Sequence, residues 1–289
     1  MTLSKAINST IVTRFSSGRI LNQLRHTSAG PPPVPPPAPD SIRYKWEKYL
    51  EKWPKIASLN KLVFDGSKWC LNDIKTYFNL RKNMLSGKTT IEKLSTSDLE
   101  VLVQSGSEIM KMLLLIFILQ IPGPGETLIV LIVFFPRIVL TRHFWTDDQR
   151  KEFFAMEINK SNTMYDGIHQ ALKEPKSIED IKLPNVGELT LDLSTKISQL
   201  QGFYPIPFTN GRLAKRVRLL RRLDETLASY LDTLTSQQLL FHMYIRRLDY
   251  TNLSDDQIRR KLRDWVGMTS SLSDSAYLVA PVYFNKLRQ

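Results

Sequence analysis

Glu126 is the only ionisable side chain between Met112 and Phe135, in a run that is otherwise almost wholly apolar. A carboxylate in such surroundings is costly unless it is paired, protonated or hydrated, which makes it a candidate for handling protons or cations. Pro122-Gly123-Pro124-Gly125 stands directly before it. A bilayer tolerates a helix broken in this way only where protein or water satisfies the freed backbone groups. Pro122, Pro124 and Glu126 therefore form one candidate device within the membrane. Its plain alternative is a carboxylate lying near headgroups or paired with a partner helix.

The second set of candidates is basic. Arg212, Lys215, Arg216, Arg218, Arg221 and Arg222 share one stretch, Arg246 and Arg247 end the next, and Arg259, Arg260, Lys261 and Arg263 crowd a third. Such density suits a phosphate-rich partner, RNA or ribosome over lipid headgroups. No RNA-binding signature with stacking aromatics accompanies it, so contact would read backbone and shape rather than bases. The competing reading is a solvated face, with terminal arginines complementing helix dipoles. The whole chain of 289 residues has 40 Lys+Arg against 28 Asp+Glu, a net charge of +12, which again selects acidic or anionic partners.

Other chemistry has little footing. His26, His143, His169 and His242 are scattered without metal-binding spacing, and one cysteine, Cys70, allows no intramolecular disulfide. No nucleophile–base constellation or phosphate-cradling glycine loop is present. The expectation is a protein that is not an enzyme, with no cofactor, no metal and no small-molecule substrate.

These residues need elements to position them. Residues 1–30 hold Lys5, Arg14, Arg19 and Arg25 and no acidic residue, with Leu3, Ile7, Ile11 and Phe15 along one helical side. That is the pattern of a mitochondrial targeting (transit) peptide, against the alternative of a simple basic tail. Residues 31–40 are a proline-rich linker, an extended spacer. Residues 41–110 read as amphipathic helices before the membrane, at Ile42–Trp53 and Ser67–Leu85, with Ser95–Asp98 capping a helix that starts near Leu99.

That helix leads into a transmembrane segment at 111–140, broken at 122–125. Its length is enough for one imperfect crossing of a hydrocarbon core ~30 Å thick. The alternative is a buried helical hairpin turned by PGPG, with arms of about ten apolar residues. Arg137, Arg142, Arg150 and Lys151 behind it favour the C-terminal side as the matrix face of an inner-membrane protein.

Residues 141–289 read as a basic helical domain. Three boxes, Thr146–Gln149, Thr235–Gln238 and Ser254–Gln257, predict helix N-termini. Arg212–Leu234 predicts a helix with Leu213, Val217, Leu220, Leu223, Leu227, Leu231 and Leu234 on one face. Strand signals are nearly absent, so the fold class is all-α.

Leu234-Thr235-Ser236-Gln237-Gln238-Leu239, Arg247-Leu248 and the closing Leu262-Arg263-Asp264-Trp265-Val266 resemble the C-terminal repeat of the LETM family. The Pro122/Pro124–Glu126 span with Phe135-Pro136 behind it is similar to the family's membrane helix, and His143-Phe144-Trp145-Thr146 resembles the start of the domain in the short, LETM-domain-containing branch. The resemblance covers about residues 90–289. It implies a helical, 14-3-3-like, LETM-type ribosome-binding domain after one transmembrane helix, in a single-pass protein of the mitochondrial inner membrane. The implied partners are the mitochondrial ribosome and inner-membrane lipid, in support of translation and membrane-protein biogenesis. An EF-hand loop is missing, so calcium sensing is not implied. The second function class is ion homeostasis, potassium or calcium exchange against protons through Glu126. One span forms no pathway alone, so that class requires a homo-oligomer or other assembly.

Overall fold

The computed structural model describes Ser41 and residues 54–119, 136–173, 175, 177–203 and 208–286. Among these, regular structure is entirely helical, as the sequence pattern requires. The helices are α1 (Pro54–Leu85), α2 (Thr96–Leu119), α3 (Pro136–Val139), α4 (Asp147–Asn162), α5 (Tyr165–Ala171), α6 (Leu191–Leu200), α7 (Thr209–Tyr230), α8 (Ser236–Ile245), α9 (Asp255–Thr269) and α10 (Asp274–Lys286). The targeting peptide, the proline linker, the Ile42–Trp53 helix and the middle of the apolar segment, 120–135, lie outside the described residues. No helix among the described residues is long and apolar enough to cross a membrane.

Local chemistry sets the helix starts. Thr146, Thr235 and Ser254 each accept from the backbone N–H three residues on, while Gln149, Gln238 and Gln257 reach back, completing all three capping boxes. Ser95 does the same for α2: its Oγ accepts from Asp98 N at 3.3 Å, and its own N–H donates to Asp98 Oδ2 at 3.4 Å. The helix expected at Ser67–Leu85 is the second half of the longer α1, which begins at Pro54. Proline suits a first helical turn, where its missing N–H would go unused.

Helix α7 is the axis of the core. Leu213, Val217, Leu220, Leu223 and Leu227 are all 0–1 % exposed, so the predicted apolar stripe is the packed one. It ends one turn early, with Leu231–Thr233 as a 3-10 turn. Helix α10 is buried along nearly its whole length, from Ser275 to Asn285.

The helices before the apolar segment and those after it share one core. Leu80, Leu94, Leu99, Leu102 and Val103 belong to the same core as Leu213, Leu239, Trp265 and Phe284. Polar contacts reinforce the join. Arg142, 0 % exposed, donates to Asp73 of α1 at 2.8 Å and stands 3.5 Å from Glu108 of α2. His143 Nε2 lies 3.1 Å from the same Asp73 carboxylate.

The described residues on either side of the apolar segment meet. Lys111 Nζ donates to the carbonyls of Arg137 at 3.0 Å and Leu140 at 3.4 Å. A straight helix over that interval would part its ends by roughly 35–40 Å. The two ends of the apolar segment are instead side by side.

Helix α1 approaches the Arg142–Phe144 turn through Gly66, where an added Cβ would lie 2.5 Å from the His143 carbonyl oxygen. The obstacle is backbone, so it cannot swing away. Gly66→Ala is expected to destabilise the fold by about 1–3 kcal/mol. Gly267→Ala, in the exposed end of α9 with open space around it, should be neutral or stabilise by up to ~1 kcal/mol. Urea unfolding of the two variants checks both signs.

Candidate polyanion-binding face

The twelve basic residues singled out by sequence do not form one surface. Arg216, Arg246 and Arg247 are 1–5 % exposed and point into the body. Arg216 donates to Gln201 Oε1 at 3.0 Å and to the Ile245 carbonyl at 2.7 Å. Burial, and then the adjacent Arg247, push it down to about 9. Arg247 takes a left-handed backbone (φ 59°), donates to the Gln201 carbonyl at 3.0 Å and lies over the Tyr244 ring. These three are structural arginines, which removes them from the exposed face.

Arg246 belongs to the largest polar cluster. Its Nε donates to Asp224 Oδ1 at 2.7 Å, while Asp224 Oδ2 accepts from Trp265 Nε1 at 3.2 Å and Tyr277 OH at 2.6 Å. The tryptophan of the Leu262–Val266 motif thus holds α9 to α7 by a hydrogen bond as well as by packing. On the other side, Arg246 donates to His242 Nδ1 at 3.0 Å, leaving Nε2 facing Glu100 of α2 at 3.3 Å. Burial holds the His242 imidazole below its ordinary range, the Glu100 hydrogen bond opposes this, and Arg246 adds to it.

Other cations are engaged at the rim of the fold. Arg221 pairs with Asp274 at 2.7 Å and lies over Tyr277. Arg259 donates to the Leu234 carbonyl at 2.8 Å, Lys261 to that of Asp249 at 2.8 Å, and Arg263 pairs with Asp232 at 3.1 Å. Arg212 lies over the Phe203 ring at 4.9 Å. Arg260 is exposed on α9.

What remains is a stripe on α7. Lys215, Arg218 and Arg222 are spaced by three and four residues, so they share one helical edge. Arg81, exposed near the end of α1, joins them. The Lys215 ammonium is held below the usual lysine range first by burial and then by Arg81. Arg222 donates to the Glu92 carbonyl at 2.8 Å and pairs with Glu225 at 2.6 Å. Glu92 is held below the ordinary carboxylate range by its Thr90 and backbone hydrogen bonds, and further by Arg222 and Arg218. Arg218 itself has no ion pair among the described residues. Arg81 comes from a helix that the basic-cluster argument did not reach, and only the tertiary fold brings it here.

Pro122, Pro124 and Glu126 lie outside the described residues, and no metal-holding group of His, Cys, Asp and Glu occurs among the described ones. The family model described as LETM1-like, RBD matches residues 94–190 and 178–280. The chain belongs to the LETM1-like family. Its first match begins inside what the sequence pattern separates as the pre-membrane region, in agreement with the shared core. The human LETM1 domain-containing protein 1 is 23 % identical over 275 residues, covering 81 % of this chain and 76 % of the relative. The Xenopus tropicalis protein of the same name is 24 % identical over 270 residues, covering 80 % and 77 %. No solved structure matches the chain significantly. The helical body is thus a LETM1-type ribosome-binding domain.

Replacing Asp224 with Asn leaves Arg246 buried beside a neutral amide. A loss of about 3–5 kcal/mol is expected in denaturant unfolding, against about 2–3 kcal/mol for Trp265→Phe, which removes one hydrogen bond and leaves a small cavity in the core. His242 supplies a pH signature. Its folded pKa is lower than its unfolded one, near 6.5, so the unfolded chain binds the proton more readily and stability falls as pH drops below about 6.5. His242→Gln should flatten the stability–pH slope between roughly pH 6.5 and 5.

Proposed function

We propose that the chain binds the mitochondrial ribosome through the α7 edge and holds it at the inner membrane, in support of translation and membrane-protein biogenesis. The observation that carries this reading is the Arg81–Lys215–Arg218–Arg222 cluster. Like charges brought together from two helices, with Glu92 and Glu225 as the acidic neighbours noted above, cost folding energy and attract a polyanion. The family's ribosome-binding domain supplies the class of partner. The acid-free leader supports mitochondrial delivery, and the apolar segment supports membrane attachment, with the helical body in the matrix.

Binding of this kind reads phosphates rather than base sequence, so it is salt-sensitive. Co-sedimentation with mitochondrial ribosomes over a series of salt concentrations is the test. Arg81→Glu combined with Arg218→Glu should weaken association by roughly tenfold or more and lower the log–log salt slope by about 2. Arg260→Glu, on α9, should change it little. Equal loss from both variants, or no loss from the first, would remove the α7 edge from the interface.

A further inference from the structure

We infer that the outer face of α1 is a docking strip for one acidic, heptad-patterned helix of another protein. None of the residues in the strip belongs to the α7 edge, so the inference stands apart from ribosome binding.

Two rows of side chains carry the argument. Lys61, Lys68, Lys75 and Lys82 stand seven residues apart, and Phe64, Leu71, Phe78 and Leu85 each follow three residues behind one of them. All eight are exposed, the apolar four by 47, 65, 53 and 82 %. The opposite side of the same helix is committed to the body, with Trp69, Cys70, Asp73 and Leu80 buried. Large apolar side chains that surface singly are ordinary. Four in one continuous row along ~32 Å of helix mark a contact surface.

The period sets the shape of the occupant. In coiled-coil terms the lysines hold every a position and the apolar residues every d position over four heptads. A straight α-helix repeats at 3.6 residues, so a strict seven-residue row winds by ~20° per heptad, about 60° from Phe64 to Leu85. A flat bilayer would meet one end of such a row and lose the other. A second helix that supercoils left-handedly along α1 stays in register with all of it. An edge-to-face contact with Tyr77, with ring centroids 5.8 Å apart, already orients the Phe78 ring.

Charge sets its chemistry. The acids of α1 are Asp65 and Asp73, and Asp73 is engaged with Arg142 and His143. A second copy of this chain would bring four more lysines into the seam, and ammonium groups desolvated without counter-charge are costly. A helix with Glu or Asp facing the lysines and large apolar residues facing Phe64, Leu71, Phe78 and Leu85 satisfies both rows. The lysines at a thus choose the partner by rejecting basic and uncharged helices.

The test uses the full chain in neutral detergent and a fluorescein-labelled synthetic helix of about four heptads, with Glu at every a and Leu at every d. Fluorescence anisotropy should show saturable binding. Lys68→Glu combined with Lys75→Glu should weaken it by roughly tenfold or more, and so should Leu71→Ser combined with Phe78→Ser. A synthetic helix with Lys at its two central a positions should prefer the charge-reversed variant to the unaltered chain, a gain that an unfolded variant could not show. Equal affinity for the unaltered and variant chains would overturn the inference. So would equal binding of a scrambled helix of the same composition; if anionic phospholipid added to the micelles abolishes that binding, the strip belongs to a bilayer surface. Self-association of the chain that Leu71→Ser with Phe78→Ser removes, without any binding of the synthetic helix, would give the strip to a second copy instead.

Discussion

Asp224 sets the terms for the helical body. A carboxylate 6 % exposed survives in a core only when its charge is matched and its lone pairs are used. Asp224 on α7 meets this condition by drawing one partner from each of the next three helices: Arg246, Trp265 and Tyr277. The requirement is directional, unlike the leucine packing around it. Leucines would accept α8, α9 and α10 at several rotations, whereas four donors on one carboxylate, Arg246 Nε and Nη2, Trp265 Nε1 and Tyr277 OH, accept very few. The constraint then passes outward, because Arg246 also fixes His242, and His242 faces Glu100 on α2. Farther along α2, Glu108 and Arg142 carry buried charge to Asp73 on α1.

This division of labour explains the strongly basic composition. A positive excess reads as surface in a bare sequence, and here part of it is interior. Arg216, Arg246 and Arg247 each place at least one donor on a carbonyl, a side-chain amide or a carboxylate within the core. Guanidinium suits this work, since its planar fork can serve several acceptors at once. Lys261, by contrast, meets the single carbonyl of Asp249. On the α7 edge Arg222 also serves a carbonyl, that of Glu92, but from the surface, and the binding face is smaller than the count of arginines suggests.

What was legible in the sequence was local. Capping boxes depend on residues three apart, and all three formed where the Thr/Ser-x-x-Gln patterns stood. The α7 leucine stripe depends on one helical period and packed as read. The failures share another physical origin. Arg246 meets Asp224 at a separation of 22 residues and Arg142 meets Asp73 at 69, distances over which no periodicity speaks. Arg81 reached the candidate face in the same way. The contact of Lys111 with the Arg137 carbonyl spans 26 residues and was equally silent in the sequence.

The Asp73–Arg142 pair also dictates a schedule. Synthesis delivers α1 first, before either of the folded partners of Asp73, Arg142 and His143, has been made. Both emerge only after the whole apolar segment has been produced. The buried charge seam at Asp73 therefore closes only after residues beyond the segment are made, while the packing of α1 on α2 needs nothing that comes later in the chain.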